Sequence, residues 1–278
     1  SAASDVYKRQ SYIHFAKNYA QRAYLNDTAE NLNLVLFTDA DFAGSLVDSH
    51  STSGAILCLM GPNSYVPLDW FCKKQSATSH STPEAELIAL EAATRTIGVP
   101  AMMLWDSVIN VFHGSKKLPQ PLQAPTSVLD VDFVPSTVRL PTLRSHLYIM
   151  EDNEATIKML VKVRSQTMAH VPRTHRVDLD WTFELFVQNP DNIHLRYVST
   201  KSQIADMFTK GSFNAKAWSQ LQTLAAICGS SRQSKQNAVT LFLFQQLALS
   251  NVRGDSRQSI VQRMEVESGT MSPGAQSR

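Results

Sequence analysis

Residues 32–74 read LNLVLFTDADFAGSLVDSHSTSGAILCLMGPNSYVPLDWFCKK. Three apolar runs stand out in this stretch: Leu32 to Thr38, Ala55 to Met60 and Tyr65 to Phe71. Each has the length of a strand and is bounded by Gly, Pro, Asn, Asp or Ser. The linker GPNS between the second and third runs is a hairpin signal. Three successive antiparallel strands are the simplest reading.

Working outward, a helix follows. Ser81 and Glu84 stand at capping-box spacing, and Pro83 suits a first helical turn. The helix is expected to run to about Thr96, to be interrupted by Gly98 and Pro100, and to give way to a second apolar helix, AMMLWDSVINVF. Residues 114–146 are proline-rich without a period and read as a long insertion loop. A buried strand is expected at Leu147 to Glu151, and helices at Asn153 to Val163 and about Thr174 to Val187. The strand Ile193 to Val198 and helices at about Gln203 to Thr209 and Asn214 to Ile227 close the domain. Strands in a run, then helices alternating with strands, describe an α/β fold with a mixed sheet and helices packed on it.

Upstream, residues 11–25 read as a short amphipathic helix, so 11–31 form a helix and a connection from a missing upstream region. The string DVYKRQ resembles the translation of a transposase adapter, which marks residues 1–10 as a scar to be left out of the fold. Downstream, residues 228–278 are Ser/Gln/Arg-rich and read as a mostly disordered tail. The domain proper is 32–227.

The 278 residues are 43% hydrophobic, enough for one sizeable core. A net charge of +2 does not announce a nucleic-acid binder, so any such reading rests on local patches. Cys58, Cys72 and Cys228 form no CxxC pair, which suggests free thiols in a reducing compartment. The spacing of Cys58, Cys72 and His80 fits no usual zinc module. No signal peptide and no run of about 20 apolar residues is expected, hence no membrane partner and no secretion.

Carboxylates on apolar elements are the informative oddity, because burying one is costly unless a cation or donors satisfy it. Asp39 is in strand phase with Val35 and Phe37, but Asp41 shares that phase and periodicity does not choose between them. Glu86 aligns with Ala89, Leu90, Ala93 and Ile97 on the apolar stripe of its helix. Glu84 aligns with Ile88, Glu91 and Arg95, a mostly polar face, and looks like a cap. Asp152 or Asn153 suits a helix N-cap, and Asp206 suits a surface helix position.

Together the strings FTDADFAG, STSGAILCL, KKQSATSHSTPEAELIAL, MEDNEATIKML, RTHRVDLDWTFELF and YVSTKSQIADMFTK resemble, in order, the blocks of copia-type retrotransposon ribonuclease H. The resemblance spans about residues 32–227. It implies a ribonuclease H-like five-stranded mixed sheet and a metal-dependent endoribonuclease that cuts the RNA strand of RNA–DNA hybrids. By the same resemblance the metal-site acids are Asp39, Glu86, Asp152 and Asp206, and Asp41 is not among them. It implies two Mg²⁺ ions about 4 Å apart, with Mn²⁺ as a substitute, in an in-line displacement. Asp39 would bridge both ions, Glu86 and Asp152 would share one, and Asp206 would hold the other. Implied partners are the reverse transcriptase and integrase regions of a parent polyprotein, in a cytoplasmic virus-like particle or the nucleus.

Lys73 and Lys74, and the cluster Arg173, His175 and Arg176, are candidates for meeting phosphates. The family's Lys-His pair stands here as His175-Arg176. Trp70 reads as a core residue in preference to a base-stacking platform. A nucleophile role for His80 lacks an oriented partner acid. The competing reading is a catalytically silent module, structural or nucleic-acid-binding, in a decayed copy.

Overall fold

The structure is a computed structural model that describes residues 2–45, 47–113, 143–161 and 179–229. The three apolar runs form strands β2 (Asn33–Asp41), β3 (Thr52–Gly61) and β4 (Ser64–Lys74), paired antiparallel in that succession. Strand β5 (Leu147–Glu151) lies parallel to β2 on its other side, and β6 (Ile193–Tyr197) lies parallel to β5. The sheet order is β4-β3-β2-β5-β6. This is the expected mixed five-stranded sheet, with each strand of the first three extending a few residues beyond its apolar run.

Alternation along the strands builds a core on each face. Leu34, Leu36, Leu57, Leu147 and Ile149 meet Leu87 and Leu90 of helix α2 (Thr82–Ala93). Val35, Phe37, Ile56, Cys58 and Met150 meet Ile204, Ala205 and Leu224 on the opposite face. The last three belong to the segment of helices α6 (Asp206–Thr209) and α7 (Ala215–Leu224). Between β5 and α6 the chain forms α4 (Glu154–Val161) and α5 (Leu179–Gln188).

Helix α2 starts as its sequence dictates. The Ser81 hydroxyl accepts from the Glu84 N–H at 3.3 Å, and the Glu84 carboxylate accepts from the His80 N–H at 2.9 Å. Ser81→Ala removes one of these caps, so an unfolding midpoint in denaturant should report a loss of about 1 kcal/mol.

Gly98 and Pro100 do not interrupt the helix. A π-helical turn, Thr94–Gly98, carries α2 into α3 (Val99–His113), and the Val99 N–H bonds the Thr94 carbonyl five residues back. The wider turn absorbs the donor that proline lacks. Gly98 lies close to Leu36 and Leu147, where a Cβ would come within 3.1 Å of both side chains. The continuous helix is long and apolar enough to cross a membrane by length and composition. Its first part, α2, packs on the sheet through Leu87 and Leu90 and also buries Glu84, Glu86 and Glu91.

The N-terminal helix is α1 (Ala2–Ala16), not 11–25, so helix covers most of the segment read as a scar. Residues 19–21 instead form β1 (Tyr19–Gln21), antiparallel to β7 (Ile227–Gly229). Helix α7 accordingly stops at Leu224, and Ala226 turns the chain at a φ of 54°. Residues 114–142 of the insertion and 230–278 of the tail lie outside the described residues.

Candidate metal centre

Strands β2 and β5 run parallel side by side, and the chain leaves them toward opposite edges of the sheet. Their carboxyl ends therefore open a crevice of the kind where α/β sheets bind ligands. Asp39 is buried near the end of β2. Its strand phase aims it at α6, whose Thr209 hydroxyl donates to Asp39 Oδ2. Asp152 is the first residue beyond β5. Glu86 reaches the same place from α2, is 4% exposed, and accepts the Ala40 N–H. One oxygen each from Asp39, Glu86 and Asp152 lies within 4.8 Å of the others. Asp206 opens α6 close enough to Asp39 for the two charges to act on each other, beside that group and not within it.

The geometry separates residues that periodicity left together. Asp41 folds over the following turn, where any Cβ on Gly44 would collide with its carboxylate. Glu84 is buried as a cap and not, as its helical phase suggested, on a polar face.

Crowded burial pushes these acids upward. Glu86 is raised to about 10, by desolvation first and then by the charges of Glu151, Asp39 and Asp152. Asp206 is raised to about 7 by desolvation and by Asp39, while Lys210 acts the other way. Asp39 is raised by desolvation, against the Thr209 hydroxyl and the Lys210 charge. Lys210 Nζ sits 2.6 Å from Asp206 Oδ1. The sequence reading missed Lys210, although its i,i+4 spacing from Asp206 is a readable pairing signal.

It also missed Glu151, the last residue of β5 and 0% exposed. Glu151 accepts from the Asn153 N–H at 3.0 Å and the Thr38 hydroxyl at 3.3 Å. Desolvation first, opposed by the Asn153 bond, raises it to about 8. Its signal was strand phase with Leu147 and Ile149, which points a carboxylate into the α2-side core.

These residues fit a divalent cation. Glu86 Oε2 is buried with no hydrogen-bond partner. The converging donors are all carboxylate oxygens, the ligands of a hard ion. Asp39, Glu86 and Asp152 would hold it, with Asp206 adjacent.

A pH prediction follows from the raised acids. Carboxylates held above their unfolded values stabilise the metal-free fold fully below about pH 4.5. That contribution is lost as pH rises through their folded values of about 7 for Asp206, 8 for Glu151 and 10 for Glu86. Melting temperature in chelator should fall between pH 5 and 9, and Mg²⁺ should flatten the slope.

The phosphate-contact candidates divide. Lys74 is half-exposed and donates to Asp48 at 2.5 Å and to Ser45 at 3.2 Å. Lys73 is exposed on the same strand. Arg173, His175 and Arg176 lie outside the described residues. Trp70 is not a core residue: it is 59% exposed on β4, the sheet edge, with its ring stacked on Phe208.

No protein-family model matches the sequence. Three solved structures overlap it. The N-terminal ribonuclease H domain of a Mycobacterium tuberculosis protein, solved as a fusion with maltose-binding protein, is 10% identical with a TM-score of 0.36. That overlap covers 68% of this chain and 98% of the other. LC11-RNase H1, isolated from compost, is 12% identical with a TM-score of 0.34, over 64% and 92%. The NurA nuclease from Sulfolobus solfataricus is 7% identical with a TM-score of 0.30, over 98% and 96%. At these scores the overlaps carry no weight for function; the sheet order and the carboxylate geometry stand on their own.

Proposed function

We propose that this chain is a Mg²⁺-dependent endoribonuclease, with Mn²⁺ as a substitute, that hydrolyses the RNA strand of RNA–DNA hybrids. Residues 32–227 are its working unit. Its setting is reverse transcription by a copia-type retrotransposon, within a polyprotein that carries reverse transcriptase and integrase regions, in a cytoplasmic particle or the nucleus. The observation that carries the reading is the convergence of Asp39, Glu86 and Asp152 oxygens within 4.8 Å at the ends of two parallel strands. The group holds three of the four acids that the copia-type resemblance implies, and Asp206 stands beside it.

A bound pair of divalent ions would activate a water and stabilise the leaving oxygen of a phosphodiester. The protein's share is placement. Asp39 and Asp152 stand at the ends of rigid strands, so their carboxylates need little reorganisation. Thr209 fixes the Asp39 carboxylate, and the Ala40 N–H fixes Glu86. Lys210 offsets the charge of Asp206, and its charge also acts on Asp39 and Asp152. Recognition of the RNA strand would rest on its 2′-hydroxyls.

The test uses two hybrids, one with the RNA strand labelled and one with the DNA strand labelled, incubated with the chain and Mg²⁺. RNA fragments with the DNA intact are expected. Binding without cleavage of either strand would replace the enzyme by a silent binding module.

A further inference from the structure

Trp70 and Phe208 lie 5.4 Å apart with ring planes 6° from parallel. Trp70 stands on the edge strand, one ring face against Phe208 and 59% of its surface open. Such exposure of the largest side chain has a cost that a packing role does not explain.

Phe208 is held firmly. Its carbonyl accepts from the Cys72 thiol at 2.9 Å. Gly54, in register with Cys72, leaves the space that its Cβ takes, and a Cβ on Gly54 would lie 2.9 Å from it. The next residue, Thr209, is the one that fixes Asp39. The stack is thus rigid and tied to the metal centre by one peptide unit.

Register gives the distance. Asp39 pairs with Gly54 and Gly54 with Cys72, so Asp39, Cys72 and Trp70 share a sheet face. Trp70 is two strands over and two residues along, which places its Cα about 12 Å from that of Asp39. That span is a few nucleotide steps at about 3.4 Å each. Lys74, half-exposed, extends the same face of β4.

A flat, rigid ring beside a phosphodiester-cutting site suits a nucleobase. Bases inside a hybrid are already stacked on their neighbours and offer no free face. We infer that the Trp70–Phe208 stack binds an unpaired base of single strand flanking the hybrid, and so directs the enzyme to hybrid ends and junctions. The inference rests on the proposed hybrid substrate.

The test compares two hybrids of equal length, one closed by hairpin loops of non-nucleotide linker and one with a five-nucleotide single-stranded extension. Affinity is read by fluorescence anisotropy with Ca²⁺ in place of Mg²⁺, beside the free single strand. The wild-type chain should prefer the extended hybrid by about 5- to 160-fold, the range of one base–aromatic stack. Trp70→Ala should erase that preference, Trp70→Phe should keep part of it, and affinity for the closed hybrid should not change. As Trp70 is exposed, its alanine variant should melt with the wild type.

Equal binding of both hybrids by the wild type overturns the inference, as does a preference that survives Trp70→Ala. If neither hybrid binds but the free strand binds through Trp70, the stacking site stands and the hybrid substrate fails. If nothing binds, both fail.

Discussion

Asp39→Asn should lower hybrid cleavage by about a hundred- to a thousandfold, the scale on which loss of charge stabilisation at a reacting centre acts. The same substitution should raise the melting temperature of the metal-free protein. Asp39 is buried beside Glu86, Asp152 and Asp206, and burial and the Asp152 charge oppose its ionised form. An asparagine keeps the shape and an acceptor for Thr209 while removing the charge. Activity and stability then move in opposite directions, as expected where an acid is kept for a cation and not for the fold. A merely structural aspartate would lose both together. Cleavage kinetics with Mg²⁺ and thermal melts in chelator read the two sides.

Gly54→Val should destabilise the fold by about 1–3 kcal/mol, the usual cost of overpacking, and should silence the site as well. An ideal Cβ at Gly54 meets Thr209 Cγ2 at 2.6 Å, Phe208 Cβ at 2.9 Å and the Ala205 carbonyl at 3.3 Å. Two of these neighbours are backbone or Cβ atoms and cannot rotate aside, so α6 must move. Asp206, Thr209 and Lys210 move with it. Gly211→Ala is the matching control, since nothing lies within 4 Å of its Cβ position, and it should leave the unfolding midpoint unchanged.

Much of this arrangement was legible from residues. Val35 and Phe37 gave Asp39 its face, and Ala89, Leu90 and Ala93 gave Glu86 an inward position. The Ser81 cap set the start of α2. These features are local, and local periodicity reports them.

The missed features depend on distant partners. Asp39 and Asp41 share a phase, and only the turn at Gly44 separates them. The π-helical turn sets Gly98 close against Leu36 and Leu147, a tertiary contact that no local breaker rule contains. Strands β1 and β7 have three residues each and pair across about two hundred positions, too short to show a period. Trp70 has the composition of a core residue, but its strand lies at the edge of the sheet.

The most direct test of the metal centre counts Mn²⁺ bound to the full chain by electron paramagnetic resonance. Wild type and Asp41→Asn should bind Mn²⁺ alike, while Asp39→Asn and Glu86→Gln should each weaken binding by about a hundredfold or more, at least the loss seen when groups that only support ligands are removed. Full Mn²⁺ binding by Asp39→Asn and Glu86→Gln, or its loss in Asp41→Asn, would contradict the account.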